Sequence, residues 1–407
     1  MANLFLGKFE NNGVEYEVTE ADYLSLPDDI EADLIIKAAK RMAIIRHTKQ
    51  HYKPKKVDSP ISSEFDSPDY DPIKRFTSTA IIFDGNNLAH KCRHTFNLSH
   101  KGIDVSVVYG VLKVMQAIIR SYADVKLVAV CWDYGIPQFR KATMPEYKAT
   151  RSHDGDDTYA DFLRQVRLLD DMLPYFGVLS LRLKNCEADD MMAALSSLTN
   201  GDCLNVLVSS DKDLLQCINY HTVVSNGTKT EDITIANFEV KVGVKPADYL
   251  TYRALCGDGS DNLAGVSGVG DKTALGLIEA YSSPSNIINV ACGKNTEAQP
   301  MSNKLAAKLQ QFGLKGFGDM FTVMRLDYDR CGARSYIIDE FNYWEPYNAT
   351  QVVGFLKKWL MVSLMDPQFY ELFKQLEDPR TLLMQDLGTR IRVPVPNLPK
   401  SPIEFTR

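Results

Sequence analysis

Nine carboxylates follow apolar runs or begin helix-like segments in this 407-residue chain. Three of them, Asp84, Asp133 and Asp211, come directly after runs of strand-like composition. The carboxyl ends of parallel strands face one crevice, so we expect these acids to lie together. Crowded carboxylates repel one another unless cations with oxygen ligands neutralise them. The pattern therefore predicts a two-metal phosphodiester hydrolase, although each acid taken alone could be a helix cap or a solvated turn residue.

Two short motifs supply most of the remaining acids. Glu187-Ala188-Asp189-Asp190 begins a helix-like segment, where acids also complement the helix dipole. Ser210-Asp211-Lys212-Asp213 reads as the end of a strand and the start of a helix. The full predicted metal-ligand set is Asp84, Asp133, Glu187, Asp189, Asp190, Asp211, Asp213, Asp258 and Asp261.

A glycine-rich turn that enters a helix follows the last of these acids. Its residues are Gly265, Val266, Gly268, Val269, Gly270, Lys272 and Thr273. Glycines allow a backbone to approach a phosphate, a helix N-terminus offers free N–H groups, and Lys272 adds positive charge. The turn is typical of a helix-hairpin-helix contact with the DNA backbone. A tight helix–helix turn without a ligand is the alternative.

Composition limits the class of protein. Hydrophobic residues make up 45% and charged residues 24%, which is ordinary for a soluble globular protein, and no apolar run approaches 18 residues. No secretory signal is evident at the N-terminus, and the eight cysteines are scattered without a Cys-x-x-Cys pair, which favours a reducing cytoplasm. The net charge of −6 does not exclude a nucleic-acid ligand, because bound cations would offset the clustered acids.

Hydrophobic patterning divides the chain. Residues 1–75 read as an extension with a basic helix and a Ser/Pro linker, and residues from about 390 form a Pro-rich tail. From residue 78, strands alternate with helices, which predicts an α/β core with a mainly parallel sheet; beyond residue 246 only helices are expected. The predicted strands are 79–84, 126–133, 178–184, 205–211 and 222–225, and the predicted core helices are 106–121, 158–172, 187–199 and 212–219. Helical patterns follow at 246–256, 271–281, 302–312 and 350–376.

In combination, these motifs resemble the flap endonuclease and 5′-nuclease superfamily in its bacteriophage form, the phage 5′→3′ exonucleases and phage ribonuclease H. The matching pieces are Asp84-Gly85-Asn86-Asn87-Leu88, Asp133, Met144-Pro145-Glu146-Tyr147-Lys148 with Arg151, Glu187-Ala188-Asp189-Asp190, Ser210-Asp211-Lys212-Asp213, and Gly257-Asp258 with Asp261-Asn262. They occur in the order of the family and cover about residues 79–285.

The resemblance implies an architecture and a set of roles. It implies a PIN-like core at 76–254 with a helical arch at 138–165 and a helix-three-turn-helix element at 255–330. The helical patterns beyond it predict a C-terminal helical region with the Pro-rich tail at 331–407. Two Mg²⁺ or Mn²⁺ ions would be held by a first cluster (Asp84, Asp133, Glu187, Asp189) and a second cluster (Asp211, Asp213, Asp258, Asp261), with Asp190 bridging or outside. Lys148 and Arg151 would contact the scissile phosphate, Arg140 and Tyr147 would contact DNA, and K⁺ is an additional candidate at the Gly265–Gly270 turn.

The expected function is a Mg²⁺-dependent, structure-specific 5′ nuclease of phage-like DNA replication, located in the cytoplasm of the host. Its substrates would be 5′ flaps, nicked or gapped duplexes and RNA/DNA hybrids, and no polymerase region follows the nuclease motifs, which predicts a stand-alone enzyme. A sliding clamp or single-strand-binding protein is a candidate partner, with only faint similarity to a clamp-binding box at Asn3–Leu6 and Ile403–Phe405. The alternatives are a PIN-type ribonuclease and a non-catalytic DNA-binding scaffold.

One histidine pair has a spacing that zinc could use. His90 and His94 are four residues apart on a predicted helix. Ring packing or a phosphate contact is the favoured interpretation of this pair, rather than zinc.

Overall fold

A computed structural model describes residues 7–11, 14–18, 76, 78–93, 95–150, 157–199, 203–227, 232–295 and 298–384. For residues 7–11, 14–18, 157–158 and 383–384 it describes the backbone alone. The predicted basic helix, the Ser/Pro linker, the Pro-rich tail and the two faint clamp-binding segments lie outside these residues, as do Arg151 and His94. Near the N-terminus, β1 (Gly7–Asn11) and β2 (Val14–Val18) pair antiparallel.

A five-stranded, fully parallel sheet forms the centre of the molecule, in the order β7-β6-β3-β8-β9. Its strands are β3 (Ser78–Asp84), β6 (Val125–Cys131), β7 (Leu179–Leu181), β8 (Cys203–Val208) and β9 (Thr222–Ser225). Nearly all of their side chains are buried, because helices cover both faces of a parallel sheet. The mainly parallel sheet and all five predicted strands are thereby confirmed.

The connections between the strands are helical and place helices on both faces. They comprise α1 (Gly85–Cys92), a small hairpin of β4 (Ser99–His100) and β5 (Ile103–Asp104), α2 (Ser106–Ile119), α3 (Gln138–Thr143), α4 (Asp157–Met172), a 3₁₀ turn (Leu173–Phe176), α5 (Ala188–Leu198) and a 3₁₀ turn (Lys212–Cys217). After β9 follow α6 (Phe238–Val242) and a third 3₁₀ turn (Pro246–Asp248). The sheet separates two apolar cores, one containing α5 and one containing α1, α2 and α4. The stretch predicted as a helix at 212–219 is the second 3₁₀ turn.

A helical region follows the sheet. It consists of α7 (Tyr249–Cys256), α8 (Asp271–Tyr281), α9 (Pro284–Ala291) and α10 (Asn303–Met324). A two-residue hairpin of β10 (Gly257–Asp258) and β11 (Leu263–Ala264) lies between α7 and α8, so the expectation of helices alone beyond residue 246 is wrong at this point. The hairpin reverses the chain and returns Asp261 toward the acids of the sheet edge.

The C-terminal helices pack back onto the α/β core. They are α11 (Tyr328–Cys331), α12 (Ala333–Glu340), a 3₁₀ turn (Phe341–Tyr343), α13 (Ala349–Lys358), a 3₁₀ turn (Val362–Leu364), α14 (Pro367–Lys374) and α15 (Pro379–Met384). α11 and α12 contact α5, and the indole N–H of Trp344 donates to the carbonyl of Gly177 at 2.7 Å. This region therefore supports the helix that carries the Glu187 motif. None of the described helices combines the length and apolar character that crossing a membrane requires.

Candidate metal centre and nucleic-acid interface

Two of the predicted acids act as backbone acceptors at the carboxyl ends of strands. Asp84 ends β3, accepts from the backbone N–H of Asn87 at 2.9 Å and accepts from the Ser209 hydroxyl at 2.8 Å. Asp133 follows β6 and accepts from the backbone N–H of Ala188 at 2.8 Å, at the first turn of α5. The capping interpretation is correct for Asp84, which is the N-cap of α1, whereas Asp133 accepts from a helix distant in the sequence whose N-cap is Glu187. Neither contact competes with a metal role, because each carboxylate keeps further acceptor capacity.

The Glu187 motif concentrates three acids around one point. Carboxylate oxygens of Glu187, Asp189 and Asp190 all lie within 4.8 Å of one another, and all three residues are buried. α5 begins at Ala188, so Asp189 and Asp190 stand in its first turn. The helix dipole favours negative charge here, but it does not balance three carboxylates.

Arg140 supplies part of the missing positive charge. Its guanidinium contacts Glu187 and binds both oxygens of Asp190, at 2.7 and 2.8 Å. It also donates to the backbone carbonyls of Val323 and Arg325, at 2.8 and 3.0 Å. Only 1% of the residue is exposed, so the prediction that Arg140 contacts DNA does not fit this structure. Arg140 instead positions the acids and ties them to the end of α10.

Tyr147 is likewise directed inward. Its hydroxyl lies 3.2 and 3.3 Å from the two carboxylate oxygens of Glu187, and only 3% of the residue is exposed. The predicted DNA contact by Tyr147 is therefore also corrected to a contact that orients Glu187.

Lys148 joins the two predicted clusters. Its ammonium group contacts Glu187 of the first cluster and lies 3.6 Å from a carboxylate oxygen of Asp261 in the second. Its backbone N–H donates to the carbonyl of Asp261 at 3.0 Å, and its φ of 53° lies in the left-handed region. A strained backbone held by a second hydrogen bond fits a functional position of this side chain.

The second cluster is held by an arginine that the sequence patterns did not single out. Arg253 donates to Asp213 at 2.9 Å and to Asp258 at 2.6 Å. Asp211 accepts from the backbone N–H of Asp213 at 2.8 Å. The position of Arg253 on α7, five residues before Asp258, is the one signal that could have indicated the pairing.

Unbalanced negative charge remains at both clusters. Burial, with the nearby carboxylates of Asp133 and Asp211, raises the pKa of Asp84 to about 7. Burial and Asp211 raise the pKa of Asp213 to about 6, despite Arg253. Burial and the adjacent acids also raise the pKa of Asp189. Groups of buried oxygen ligands that repel one another are suited to hard divalent cations, so the residues present fit the expected Mg²⁺ or Mn²⁺.

Two acids are already stabilised as anions. Although burial opposes ionisation, Lys148 and Arg140 hold the pKa of Glu187 below its usual range. Against partial burial, hydrogen bonds from Ser260 and Arg253 lower the pKa of Asp258 to about 2. The centre therefore contains carboxylates that are charged over the whole neutral range beside others that ionise near neutrality.

We expect Mg²⁺ to stabilise the protein more strongly as the pH rises. The pKa of Asp84 is about 7 in the fold, against about 4 for an unfolded aspartate. A raised carboxyl pKa contributes stability below the unfolded value and loses it as the pH rises through the folded value. The Mg²⁺-free protein should thus lose stability between pH about 4 and about 7, whereas a bound cation favours the ionised form.

Melting temperatures with and without Mg²⁺, measured from about pH 5 to about pH 8, test this expectation. Asp84→Asn, which removes the titrating group, should flatten both the pH dependence and the Mg²⁺ effect. A Mg²⁺-induced shift that is constant across this range, and unaltered in the variant, would contradict it.

Only some of the residues predicted to form the DNA clamp are exposed. Gly270, Lys272 and Thr273 are exposed at the start of α8, whose first residue is Asp271. Val266 and Val269 are instead buried in the core, so their side chains do not contact DNA.

The glycines of the turn serve two different purposes. A Cβ atom on Gly265 would lie 2.4 Å from the carbonyl oxygen of Leu255, so this glycine permits the chain's own backbone to pack closely. Gly268 has a φ of 71°, where L-residues are strained. A bulky residue at Gly268 would therefore strain the fold itself, so its effect could not be attributed to phosphate approach alone.

The zinc question can be answered only for the first histidine of the pair, His90. The ring of His90 stacks on Phe162 with a centroid distance of 4.4 Å, which confirms ring packing for this residue. His94 lies outside the described residues.

Comparison with known proteins identifies relatives for the region that carries the site. Residues 79–243 match the family model described as the N-terminal resolvase-like domain of 5′-3′ exonucleases, and residues 244–320 match the one described as their C-terminal SAM fold. A "5′-3′ exonuclease" of Buchnera aphidicola is 31% identical over 241 residues, which cover 56% of this chain and 83% of that protein. The thermostable DNA polymerase I of Thermus aquaticus is 34% identical over 217 residues, 52% of this chain but only 25% of the polymerase.

Solved structures show the same fold. The 5′-exonuclease of phage T5, whose structure carries the description "divalent metal ions (zinc) bound", covers 70% of this chain and 99% of its own, with a TM-score of 0.51 and 21% identity. A complex of the phage T5 flap endonuclease with DNA and metal ions gives the same coverage and TM-score at 20% identity.

Proposed function

The chain belongs to the 5′-3′ exonuclease family, and from that premise we propose that it is a structure-specific 5′ nuclease that uses two Mg²⁺ or Mn²⁺ ions and removes 5′ flaps and RNA primers in phage-like DNA replication. The family membership makes the protein a metal-dependent phosphodiester hydrolase with 5′-3′ exonuclease and flap endonuclease activity. The two-ion stoichiometry, the preferred substrate and the replication role are the parts that we propose.

The crowding of acids at the carboxyl edge of the sheet carries this proposal. Three carboxylates lie within 4.8 Å of one another, while Asp84 and Asp213 have raised pKa values that a cation would relieve. The ions would be held by Asp84, Asp133, Glu187 and Asp189 in one cluster and by Asp211, Asp213, Asp258 and Asp261 in the other, with Asp190 bridging them or in the outer shell. Divalent cations in such sites polarise the phosphodiester and activate water at neutral pH.

Lys148 and Arg151 would act on the scissile phosphate. Lys148 already lies between the two clusters, where it contacts Glu187 and Asp261. When substrate arrives, its ammonium group can exchange these carboxylates for a phosphate whose charge increases in the transition state. Arg151 follows by three residues in the same predicted arch.

The exposed start of α8 is suited to a duplex backbone. Gly270, Lys272 and Thr273 place a glycine backbone, a cation and a hydroxyl on one exposed turn at a helix N-terminus. Such contacts position a duplex and read no bases. K⁺ coordinated by carbonyls of the Gly265–Gly270 turn belongs to the same proposal.

Lys272→Ala should weaken binding to nicked and flap duplexes alike, because it removes one phosphate contact. The slope of log affinity against log salt should become shallower by about one unit. Fluorescence anisotropy over a range of salt concentrations measures both quantities, and Lys294→Ala, an exposed lysine outside the turn, is the control. An unchanged salt slope in Lys272→Ala would remove the turn from the DNA interface.

Cleavage of an end-labelled 5′-flap duplex, with and without Mg²⁺, tests the proposed function. We expect cutting near the base of the flap, further products from nicked and gapped duplexes and from RNA/DNA hybrids, and no cutting without a divalent cation. Equal cleavage of unstructured RNA would favour a PIN-type ribonuclease, and binding without cleavage would favour a non-catalytic scaffold.

The proposed cellular location is the cytoplasm of the host. All eight cysteines are free thiols, which fits a reducing cytoplasm. A sliding clamp or single-strand-binding protein as partner remains a proposal from the sequence, because both candidate segments lie outside the described residues.

A further inference from the structure

Two cysteines and an aspartate form a separate ligand group beside the acids. The sulfur atoms of Cys186 and Cys331 and a carboxylate oxygen of Asp190 all lie within 4.8 Å of one another. The Cys331 thiol lies 3.5 Å from Asp190 and can donate to it. Cys186 and Asp190 are fully buried, whereas Cys331 is half-buried and leaves a route from solvent.

The group joins two distant parts of the chain. Cys186 directly precedes Glu187, and Cys331 is the last residue of α11, which packs with α12 against α5. Cys331 lies beyond residues 79–320, the part of the chain that matches the exonuclease family. The family resemblance therefore assigns no role to this pair of thiols.

The donor atoms differ in kind from those of the proposed Mg²⁺ clusters. Magnesium prefers oxygen ligands, whereas thiolates select softer ions such as Zn²⁺ and Cd²⁺. Zn²⁺ binds Cys thiolates and Asp carboxylates, and water can complete its four-coordinate shell. The separation within 4.8 Å needs only a modest approach of the side chains to reach metal–sulfur distances of about 2.3 Å.

The charges of this group can accommodate one divalent cation. Arg140 and Lys148 already pair with Asp190 and Glu187. Deprotonation of the two thiols on binding would release two protons and create two negative charges, which balance one divalent cation. Arg140, held on Asp190 at 2.7 and 2.8 Å, would orient this ligand in the way that an outer hydrogen bond orients a metal-bound carboxylate.

We propose that Cys186, Asp190 and Cys331 bind a soft divalent cation of the Zn²⁺ class, and that its binding inhibits cleavage. Asp190 is shared with the Glu187–Asp189–Asp190 group, so a cation held by the two thiolates draws this carboxylate away from the hard-metal ligands. Inhibition rests on the proposed nuclease function, whereas binding does not.

Cadmium titration of the full chain tests binding, with Mg²⁺ at saturation and a non-chelating phosphine reductant that keeps the thiols reduced. The wild type should show a cadmium–thiolate ultraviolet charge-transfer band that saturates at one equivalent. Cys331→Ser should lose the high-affinity band, with affinity falling about tenfold or more. Cys292→Ser removes an exposed cysteine elsewhere and should leave the band unchanged. Cys331→Ala repeats the test if the serine variant fails to fold.

A parallel cleavage assay tests inhibition. Added Zn²⁺ should slow flap cleavage by the wild type and by Cys292→Ser at concentrations that leave Cys331→Ser unaffected. The same Cd²⁺ affinity in Cys331→Ser as in wild type would overturn the site. Normal binding with equal Zn²⁺ sensitivity in both proteins would overturn its coupling to cleavage. If neither the wild type nor the variants cleaved DNA, the proposed nuclease function would be wrong. The cadmium titration would still test the metal site.

Discussion

Asp189→Asn is expected to lower the single-turnover rate of cleavage by about 10²-fold or more while the dissociation constant for DNA changes little. The carboxylate of Asp189 lies within 4.8 Å of those of Glu187 and Asp190, and burial together with these neighbours raises its pKa. Asparagine keeps the volume of the side chain and removes one repulsive charge, so the fold should persist. What is lost is an anionic ligand for the catalytic cation.

Single-turnover cleavage in Mg²⁺ and equilibrium binding in Ca²⁺ separate the two effects. Asp133→Asn should behave in the same way, because an amide oxygen can still accept from the N–H of Ala188. Asp319→Asn, which changes an acid paired with exposed Lys315 on α10, is the matched control and should cleave normally. A rate within about tenfold of wild type for Asp189→Asn would remove this residue from the metal centre.

Lys148→Ala is expected to slow single-turnover cleavage by about 10²-fold, again with little change in DNA affinity. In the free protein the Lys148 side chain is 11% exposed, and its ammonium group lies between Glu187 and Asp261. Because it neutralises acids that the cations need, its removal should also tighten Mg²⁺ binding. A simple backbone contact would have the opposite profile, with weaker DNA binding and no change in metal affinity.

Three further alanine variants serve as comparisons for Lys148→Ala. Exposed Lys245 offers a neutral control as Lys245→Ala, and Arg151→Ala should show a milder loss than Lys148→Ala. Arg140→Ala is expected to be harmful because it leaves Glu187 and Asp190 partly unpaired in the interior. If Lys148→Ala weakened DNA binding as much as it slowed cleavage, its proposed role in the reaction would be wrong.

Much of the fold was readable from local patterns. Buried parallel strands are continuous apolar runs, and each run predicted between residues 79 and 225 became a strand of the central sheet. The acids at the ends of these runs could be anticipated for the same reason, since a strand that ends in an aspartate delivers it to the sheet edge. The exceptions were short elements, such as the hairpin at Gly257–Ala264, whose two-residue strands carry no periodic signal.

The partners of individual side chains could not be predicted in this way, because they depend on how distant segments of the chain pack together. Arg140 was predicted to contact DNA, yet its partners Glu187 and Val323 lie 47 and 183 positions further along the chain. The same holds for Cys331, which reaches Asp190 across 141 positions only after α11 packs on α5.

The residue types and their spacing thus determined the strands, the acids at their ends and the family to which the chain belongs, since each is encoded within a few neighbouring positions. The tertiary structure alone decided which arginine and lysine side chains neutralise those acids and which residues of the glycine turn remain exposed. It also decided that two cysteines lie beside Asp190. A buried charged group needs a partner that compensates its loss of hydration. When that partner is distant in the sequence, the two groups come into contact only after the chain has folded.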